Sequence, residues 1–279
     1  MKEFTIQTPK HPLSITVYEP VERPKFVFIL NSATGAKQSY YRTFASHLVE
    51  NGILAITYDY SGIGKSAPAS LKNFDTSARD WGENDLTAVI DYVSLNYEYD
   101  KLVLMGLSIG GQILGLSPSI GKADALVNVA AQSGYWNLWP FPNKIGVLAS
   151  WFLLPTLTWI FGYLPSKKLG IMEDLPREVA MEWARWGRSP KYLFDHFPNA
   201  EEKYAAISIP LWSYSFTDDT TAPGPTVEWM NGKYSNCELH YRRVSPSELG
   251  LKSIGHFGFF REQCKPLWEE LLKDLNEKF

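Results

Sequence analysis

The chain has few cysteines and no large excess of either charge. Cys237 and Cys264 are the two cysteines among 279 residues, which excludes a disulfide-rich scaffold and a zinc site built from four cysteine ligands. Lys and Arg total 27 against 30 Asp and Glu, for a net charge of −3, so a nucleic-acid-binding surface is not expected. We expect no metal and no cofactor.

The N-terminus also lacks a targeting signal. Met1–Ile6 contains no long apolar run and no cleavage site made of small residues, so no secretory signal is predicted. Two free thiols agree with a reducing compartment, and the cytoplasm is therefore the expected location. One stretch opposes this expectation. The 22 residues from Ile145 to Ser166 include no Asp, Glu, Lys or Arg, and a helix of this length could span a bilayer core of ~30 Å.

Apolar runs typical of buried strands alternate with segments of helical periodicity. The predicted strands are 25–30, 53–60, 101–107, 123–130, 209–216 and 237–244, and the predicted helices are 38–51, 79–97, 109–116, 223–234 and 260–279. Strict alternation of this kind indicates βαβ units, and hence an α/β fold with a mostly parallel central sheet and helices on both faces.

The alternation is interrupted between residues 132 and 203, a segment rich in Trp and Pro. Six of the ten tryptophans lie there: Trp136, Trp139, Trp151, Trp159, Trp183 and Trp186. Residues 179–186 have helical spacing, whereas prolines shorten the other predicted elements. We therefore predict a core made of residues 1–131 and 204–279, with residues 132–203 forming a helical lid inserted into it.

A nucleophile motif lies between a predicted strand and a predicted helix. Gly106–Gly110 has the pattern Gly-x-Ser-x-Gly with Ser108 at its centre. The glycines are required because the serine of such an elbow sits on a tight, strained turn that leaves no room for neighbouring side chains. Ser108 is the predicted nucleophile, although a capping serine in an ordinary turn has the same local pattern.

A serine nucleophile needs a histidine as base and an acid that orients the histidine. In a sheet of this kind the acid follows the serine in the chain, and the histidine follows the acid. His256 is the one histidine in a loop after the last predicted strand. Two acids, Asp218 and Asp219, follow the strand 209–216. A position four residues before the proline that opens the next helix favours Asp219, with Asp218 as a turn former or helper.

An oxyanion hole needs two backbone N–H donors. Ile109 directly follows the nucleophile and supplies the first predicted donor. The second donor is expected in the loop Asn31–Gly35 after the first core strand, and its position points to Ala33. The substrate-binding side chains are not identifiable from the sequence.

These residues carry a resemblance to the α/β-hydrolase superfamily. The chain resembles its monoacylglycerol-lipase-like and serine-aminopeptidase-like branch, and is most similar to a bacterial group of predicted hydrolases with no settled substrate. The resemblance covers nearly the whole chain and rests on residues 31–35, 59–66, 106–110, Asp219 and His256. It departs at two places, because the first loop begins Asn31-Ser32 where His-Gly is usual, and Ser61 stands where Arg is usual.

Residues 62–66 end in Gly-Lys-Ser, as a phosphate-binding loop does. Such a loop requires a glycine where Asp59 stands and a helix that begins directly at Lys65-Ser66, whereas Ala67-Pro68 follows. Nucleotide binding is therefore not predicted.

The uncharged stretch 145–166 is interpreted from the proposed triad. A membrane span there would place Ser108 on the opposite side of the bilayer from Asp219 and His256, and Pro155 and Gly162 would divide the stretch into two short helices. Buried or substrate-facing lid helices are the favoured interpretation. A lid face in peripheral contact with lipid is the alternative.

The sequence therefore predicts a serine hydrolase acting on a small molecule with an apolar acyl or aryl group through a Ser-His-Asp triad and an acyl-enzyme. A carboxylic ester is the first choice of substrate, as in a carboxylesterase or lipase, followed by a thioester or amide. The alternative is a non-catalytic ligand-binding or interaction protein on the same scaffold.

Overall fold

All six predicted core strands lie in one eight-stranded sheet. The computed structural model describes residues 1–279. Its strands are β1 (Lys2–Gln7), β2 (Pro12–Tyr18), β3 (Phe26–Asn31), β4 (Leu54–Tyr58), β5 (Lys101–Leu107), β6 (Ala125–Val129), β7 (Leu211–Phe216) and β8 (Leu239–Val244), in the order β1-β2-β4-β3-β5-β6-β7-β8. Strands β3 to β8 pair in parallel. The antiparallel hairpin β1–β2 adds to β4 at one edge and was not predicted.

Helices cover both faces of this sheet. They are α1 (Arg42–Glu50), α2 (Ala78–Asp80), α3 (Thr87–Asn96), α4 (Ile109–Gln112), α5 (Asn143–Phe161), α6 (Arg177–Arg188), α7 (Ala200–Ala205), α8 (Gly224–Asn231) and α9 (Lys265–Lys278). In β3, Val27 and Ile29 face a core that includes α3, while Phe28 and Leu30 face a second core that includes α1 and α9. Burial on both faces explains why the strands are continuous apolar runs. The α/β prediction is confirmed.

The glycine-rich turn after β4 is stabilised by its own side chains. Asp59 accepts hydrogen bonds from the N–H groups of Gln38 (2.7 Å) and Lys65 (2.9 Å), and the Ser66 hydroxyl donates to the Asp59 carbonyl at 2.7 Å. The Lys65 ammonium contacts Glu3 at 2.5 Å. Because these groups bind one another, the turn presents no nest of free donors for a phosphate.

Ser61 faces a buried carboxyl group that forms no ion pair. Asp85 lies in a π-helical turn between α2 and α3, is 1% exposed, and accepts hydrogen bonds from the Ser61 N–H (2.8 Å) and hydroxyl (2.6 Å). Burial raises the pKa of Asp85 to about 7, although the hydrogen bonds from Ser61 lower it in part. Asp85 is therefore a buried carboxyl group that takes up a proton near neutral pH.

Segment 132–203 is helical, but its first helix differs from the prediction. Helix α5 runs unbroken for 19 residues with Pro155 inside it, and ends only where Gly162 takes a left-handed conformation. Proline cannot donate to the carbonyl four residues earlier. In this fold the Arg188 guanidinium of α6 donates to that carbonyl, on Trp151. The predicted break at Pro155 is therefore wrong, because a neighbouring helix replaces the missing donor.

The favoured interpretation of this stretch was buried or substrate-facing helices, and burial applies to only a small part of α5. Only Trp151 and Thr158 of α5 are buried, and 11% of its most apolar 18-residue window is inside the protein. By length and composition alone α5 could cross a membrane. However, one side of α5 lies against α6, where Trp151 contacts the Trp183 ring at a centroid distance of 4.9 Å. Helix α5 is thus a surface helix with an apolar outer side.

The protonation of Asp85 gives a test of this fold. Between about pH 4, the unfolded pKa, and the folded pKa of about 7, the folded state keeps a proton that the unfolded state has lost. Stability from this group is complete below that window and falls as pH rises through it, by up to about 1.4 kcal/mol per pH unit. Asp85→Asn removes this titration. The unfolding free energy of the variant, relative to that of the wild type, should therefore rise by about 2 kcal/mol from pH 5 to pH 8, as measured by urea unfolding.

Asp91→Asn is the matched control. Burial raises the pKa of Asp91, but hydrogen bonds from Lys122 and Ser119 outweigh it and lower the pKa overall. This variant should therefore keep the wild-type slope between pH 5 and pH 8. An equal slope for Asp85→Asn and the wild type would show that Asp85 is ionised throughout.

Candidate active site

Ser108 lies on a strained turn between β5 and α4. Its backbone has φ +54° and ψ −121°, a conformation that a non-glycine residue adopts only where the surroundings impose it. A Cβ on Gly106 would come within 2.3 Å of the Gly110 carbonyl carbon, and one on Gly110 within 2.3 Å of the Asn31 carbonyl oxygen. The two glycines therefore let β5, α4 and the loop after β3 approach one another at the serine.

His256 and Asp219 are hydrogen-bonded to each other. The Asp219 carboxylate lies 2.7 Å from His256 Nδ1, and its other oxygen accepts from the N–H groups of Thr221 (2.8 Å) and Ala222 (3.0 Å). Asp219 is 4% exposed. These contacts hold the carboxylate in one orientation, and they orient the imidazole with Nε2 as its free nitrogen.

The neighbouring Asp218 has a different set of partners. Its carboxylate accepts hydrogen bonds from the N–H groups of Ile254 (2.9 Å) and Gly255 (3.1 Å). These residues directly precede His256, and Gly255 has a left-handed backbone with φ +62°. Asp218 therefore fixes the backbone of the histidine loop, while Asp219 contacts the imidazole itself.

The hydroxyl of Ser108 contacts a glutamine rather than His256. Its Oγ lies 3.4 Å from Oε1 of Gln132, which also accepts from Nε2 of Gln112 at 3.0 Å. The Tyr192 hydroxyl in turn donates to Oε1 of Gln112 at 2.7 Å. All four residues are buried. This network connects the nucleophile motif to the inserted segment, to which Gln132 and Tyr192 belong.

The two predicted oxyanion donors have different surroundings. Ile109 is the first residue of α4, and the first N–H groups of a helix have no partner within it. The Ala33 N–H, by contrast, donates to the buried Tyr41 hydroxyl at 2.9 Å. Burial raises the pKa of Tyr41 well above its usual value, so its hydroxyl is neutral. Ala33 is therefore near the nucleophile motif but already hydrogen-bonded.

A cavity of about 250 Å³ lies between the core and the insertion. Its lining combines three tryptophans, an aliphatic side chain and several polar groups: Gln112, Gln132, Gly134, Trp139, Val147, Ser150, Trp151, Trp183, Tyr192, Thr220 and Thr221. Gln132 contacts Ser108, and Thr220 and Thr221 follow Asp219 directly. The cavity thus adjoins both Ser108 and the loop that contains Asp219. No group of three or more His, Cys, Asp or Glu side chains is placed to hold a metal ion.

Gln132, Gln112 and Tyr41 were not predicted from the sequence. Gln132 follows β6 by three residues, at the sheet edge where ligands bind in open α/β sheets, so this position could have been identified from the strand pattern. Tyr41 could not, because its contact with Ala33 depends on how the loop after β3 folds back.

Comparison with known protein families identifies the family of this chain. The family model described as serine aminopeptidase, S33, matches residues 22–180, more than half of the chain. The chain belongs to this family of hydrolases. The match includes the nucleophile motif and the loop 31–35, and ends before Asp219 and His256.

Single relatives are distant. Protein phosphatase methylesterase 1 of Candida albicans is 22% identical over 230 residues, which cover 78% of this chain and 62% of that protein, so this chain spans less than two thirds of that relative. The α/β hydrolase GrgF of Penicillium sp. sh18 is 15% identical with a TM-score of 0.67, covering 99% of this chain and 98% of that one.

A thermophilic esterase from Thermogutta terrifontis has 13% identity and a TM-score of 0.64, covering 99% of both chains. The esterase EaEST of Exiguobacterium antarcticum has 17% identity and a TM-score of 0.63, covering 98% of both chains. At these identities the structures show that the α/β-hydrolase fold is shared.

The adjacent acids allow a paired test. Asp219→Asn removes the charge that faces His256 and should lower ester turnover by about 10³-fold or more. Asp218→Asn keeps one oxygen acceptor for the N–H groups of the histidine loop and should lower ester turnover by about tenfold or less. Initial rates with p-nitrophenyl acetate would measure both. Similar losses in the two variants would contradict the separate roles assigned to these carboxylates.

Proposed function

We propose that this protein is a serine esterase that forms an acyl-enzyme on Ser108, with His256 as base and Asp219 as the acid that orients it. The 2.7 Å contact between Asp219 and His256 Nδ1 is the observation that carries the proposal. It leaves Nε2 of His256 to accept a proton, at the end of the sheet where the strained turn presents Ser108.

In the first step the Ser108 hydroxyl turns from Gln132 toward His256, by rotation about its own χ1. Oγ attacks the ester carbonyl carbon as its proton moves to Nε2 of His256. The tetrahedral intermediate collapses when the C–O bond to the alcohol breaks, and His256 returns the proton to the departing alkoxide. The carboxylate of Asp219 stabilises the imidazolium that forms between these steps.

The negative oxygen of this intermediate needs donors. The Ile109 N–H is free to bind it. The Ala33 N–H donates to Tyr41 in the resting state. An oxyanion is a stronger acceptor than a neutral phenol oxygen, so we propose that Ala33 transfers its hydrogen bond to the intermediate. Each such donor is worth about 3 kcal/mol by analogy with measured oxyanion donors.

A water molecule completes the cycle. His256 takes a proton from water, the hydroxide attacks the acyl carbon, and Ser108 leaves with the proton that His256 held. The products are a carboxylic acid and an alcohol. A thioester or amide would react by the same steps with a thiol or an amine as the leaving group.

The cavity supports a small apolar acyl or aryl group as the part that is recognised. Its 250 Å³ lies just below the range of about 300–1,000 Å³ that is typical of small-molecule pockets, so a short chain or a single ring fits. The relative from Candida albicans is a methylesterase by name, which also favours an ester.

We propose that residues 132–203 act as the lid of a core formed by 1–131 and 204–279, and that the protein works in the cytoplasm.

A fluorophosphonate probe tests the nucleophile. The probe should label the wild type at Ser108, as located by mass spectrometry of the digested protein, and should not label Ser108→Ala. Ser253→Ala, at an exposed serine of the histidine loop, is the control and should be labelled normally. Equal labelling of the wild type and Ser108→Ala would exclude Ser108 as the nucleophile. No labelling of the wild type would favour a non-catalytic ligand-binding protein on this scaffold.

The size of the cavity gives a separate test. With p-nitrophenyl esters of increasing chain length, kcat/KM should reach its maximum at a short acyl chain. Val147 lines the cavity, so Val147→Trp should move the maximum to a still shorter chain, because the larger side chain fills the space. Ala149 lies on the exposed side of α5, and Ala149→Trp should leave the preference unchanged. An unchanged preference in Val147→Trp would show that the acyl group binds elsewhere.

A further inference from the structure

Exposed apolar side chains are concentrated on one part of the surface. Of the thirteen large apolar side chains that are exposed, nine lie between residues 141 and 171: Phe141, Ile145, Phe152, Leu153, Trp159, Ile160, Phe161, Leu169 and Ile171. Trp159 is 75% exposed and Phe152 is 59% exposed. An apolar patch of this kind on a surface that is otherwise polar marks an interaction site.

Helix α5 arranges much of this patch as a continuous stripe. Ten of its nineteen positions are exposed, and seven of these, at 145, 149, 152, 153, 156, 159 and 160, recur at spacings of three and four and therefore lie along one side of the helix. The opposite side carries Val147 and Trp151, which line the cavity. The helix is apolar all round, but the protein covers only its inner side.

The surroundings of the stripe are cationic. Residues 125–172 contain no Asp or Glu and three lysines, Lys144, Lys167 and Lys168, in a chain whose net charge is −3, and the first acids after them are Glu173 and Asp174. The Lys167 ammonium pairs with Glu173 at 2.7 Å. Lys144 and Lys168, near the two ends of α5, have no carboxylate partner.

A third cation lies beside the middle of the stripe. The Arg188 guanidinium lies 5.1 Å from the centre of the Phe152 ring. It also lacks a carboxylate partner, since its guanidinium donates to a main-chain carbonyl.

We propose that this stripe is a docking surface for a bilayer that contains anionic lipids, with α5 lying in the plane of the interface. Trp and Phe on one side of a helix, flanked by Lys and Arg, are the composition of interfacial helices. The apolar side chains enter the boundary between headgroups and acyl chains, while the lysines bind the negative headgroups. A second copy of this chain fits less well, because a symmetric dimer would bring two identical cationic rims together.

Vesicle sedimentation tests the proposal without relying on catalysis. The wild type should bind phosphatidylcholine vesicles that contain about 30 mol% phosphatidylglycerol, and bind phosphatidylcholine alone more weakly. The double variant Trp159→Ser/Ile160→Ser should bind both kinds of vesicle at least about tenfold more weakly than the wild type does. Leu95→Ser is the control, because Leu95 is 84% exposed on α3, next to the N-terminal hairpin, and it should bind as the wild type does.

The charge contribution has its own pair of variants. Lys144→Glu/Lys168→Glu should lose the preference for anionic vesicles, whereas Lys25→Glu should keep it, because Lys25 precedes β3 at the opposite end of the sheet. All substituted side chains are at the surface, so the thermal unfolding midpoints should stay close to that of the wild type.

Three results would overturn the proposal. The first is no vesicle binding by the wild type, and the second is equal binding by the wild type and Trp159→Ser/Ile160→Ser. The third is a wild-type dimer in analytical ultracentrifugation that this double variant converts to a monomer, which would assign the stripe to self-association.

Discussion

The site depends on the close approach of three backbone segments at Ser108. Strand β5, helix α4 and the loop after β3 meet with so little space that a single Cβ at Gly106 or Gly110 would lie 2.3 Å from backbone atoms. This crowding keeps Ser108 at φ +54°, a backbone strain that the surrounding sheet must offset. Because β5 is a central strand, buried on both faces, the turn cannot relax without disturbing the core.

The other polar groups of the site are held by backbone donors of neighbouring loops. Asp218 and Asp219 are adjacent in the chain, yet one binds the N–H groups before His256 and the other binds the imidazole and the N–H groups after itself. The histidine loop is therefore attached at two points to the end of β7. Such double attachment fixes a side chain that lies far from Ser108 in sequence.

The six tryptophans of the insertion do not share one role. Trp139, Trp151 and Trp183 line the cavity, Trp186 is completely buried, and Trp159 faces outward. Helix α5 lies between the cavity and the outer surface. Its inner side faces the cavity beside Ser108, and its outer side bears the apolar stripe, so one apolar helix serves the core and the surface together.

Much of the core could be predicted because its signals are local. Strands buried on both faces need continuous apolar runs, and an elbow serine needs glycines around it, so β3 to β8 and the position of Ser108 follow from the residues themselves. In the hairpin β1–β2, the outer strand β1 was missed because it is mostly exposed and has little apolar signal. Strand β2 is buried, but Ser14 and Thr16 interrupt its apolar residues, so it is not a continuous apolar run. The break predicted at Pro155 failed because Arg188, 33 residues later, supplies the donor that proline lacks.

By itself the sequence determined the fold class, the order of the elements and the residue types of the motif Gly106–Gly110, because these depend on side-chain periodicity and on local backbone sterics. Only the tertiary structure decided which acid contacts His256, that Ala33 is bound to Tyr41 while Ser108 contacts Gln132, and which side of α5 is left exposed. Those are properties of contacts between segments distant in the chain. A periodic pattern records that a helix is apolar, and packing determines which of its sides the protein covers.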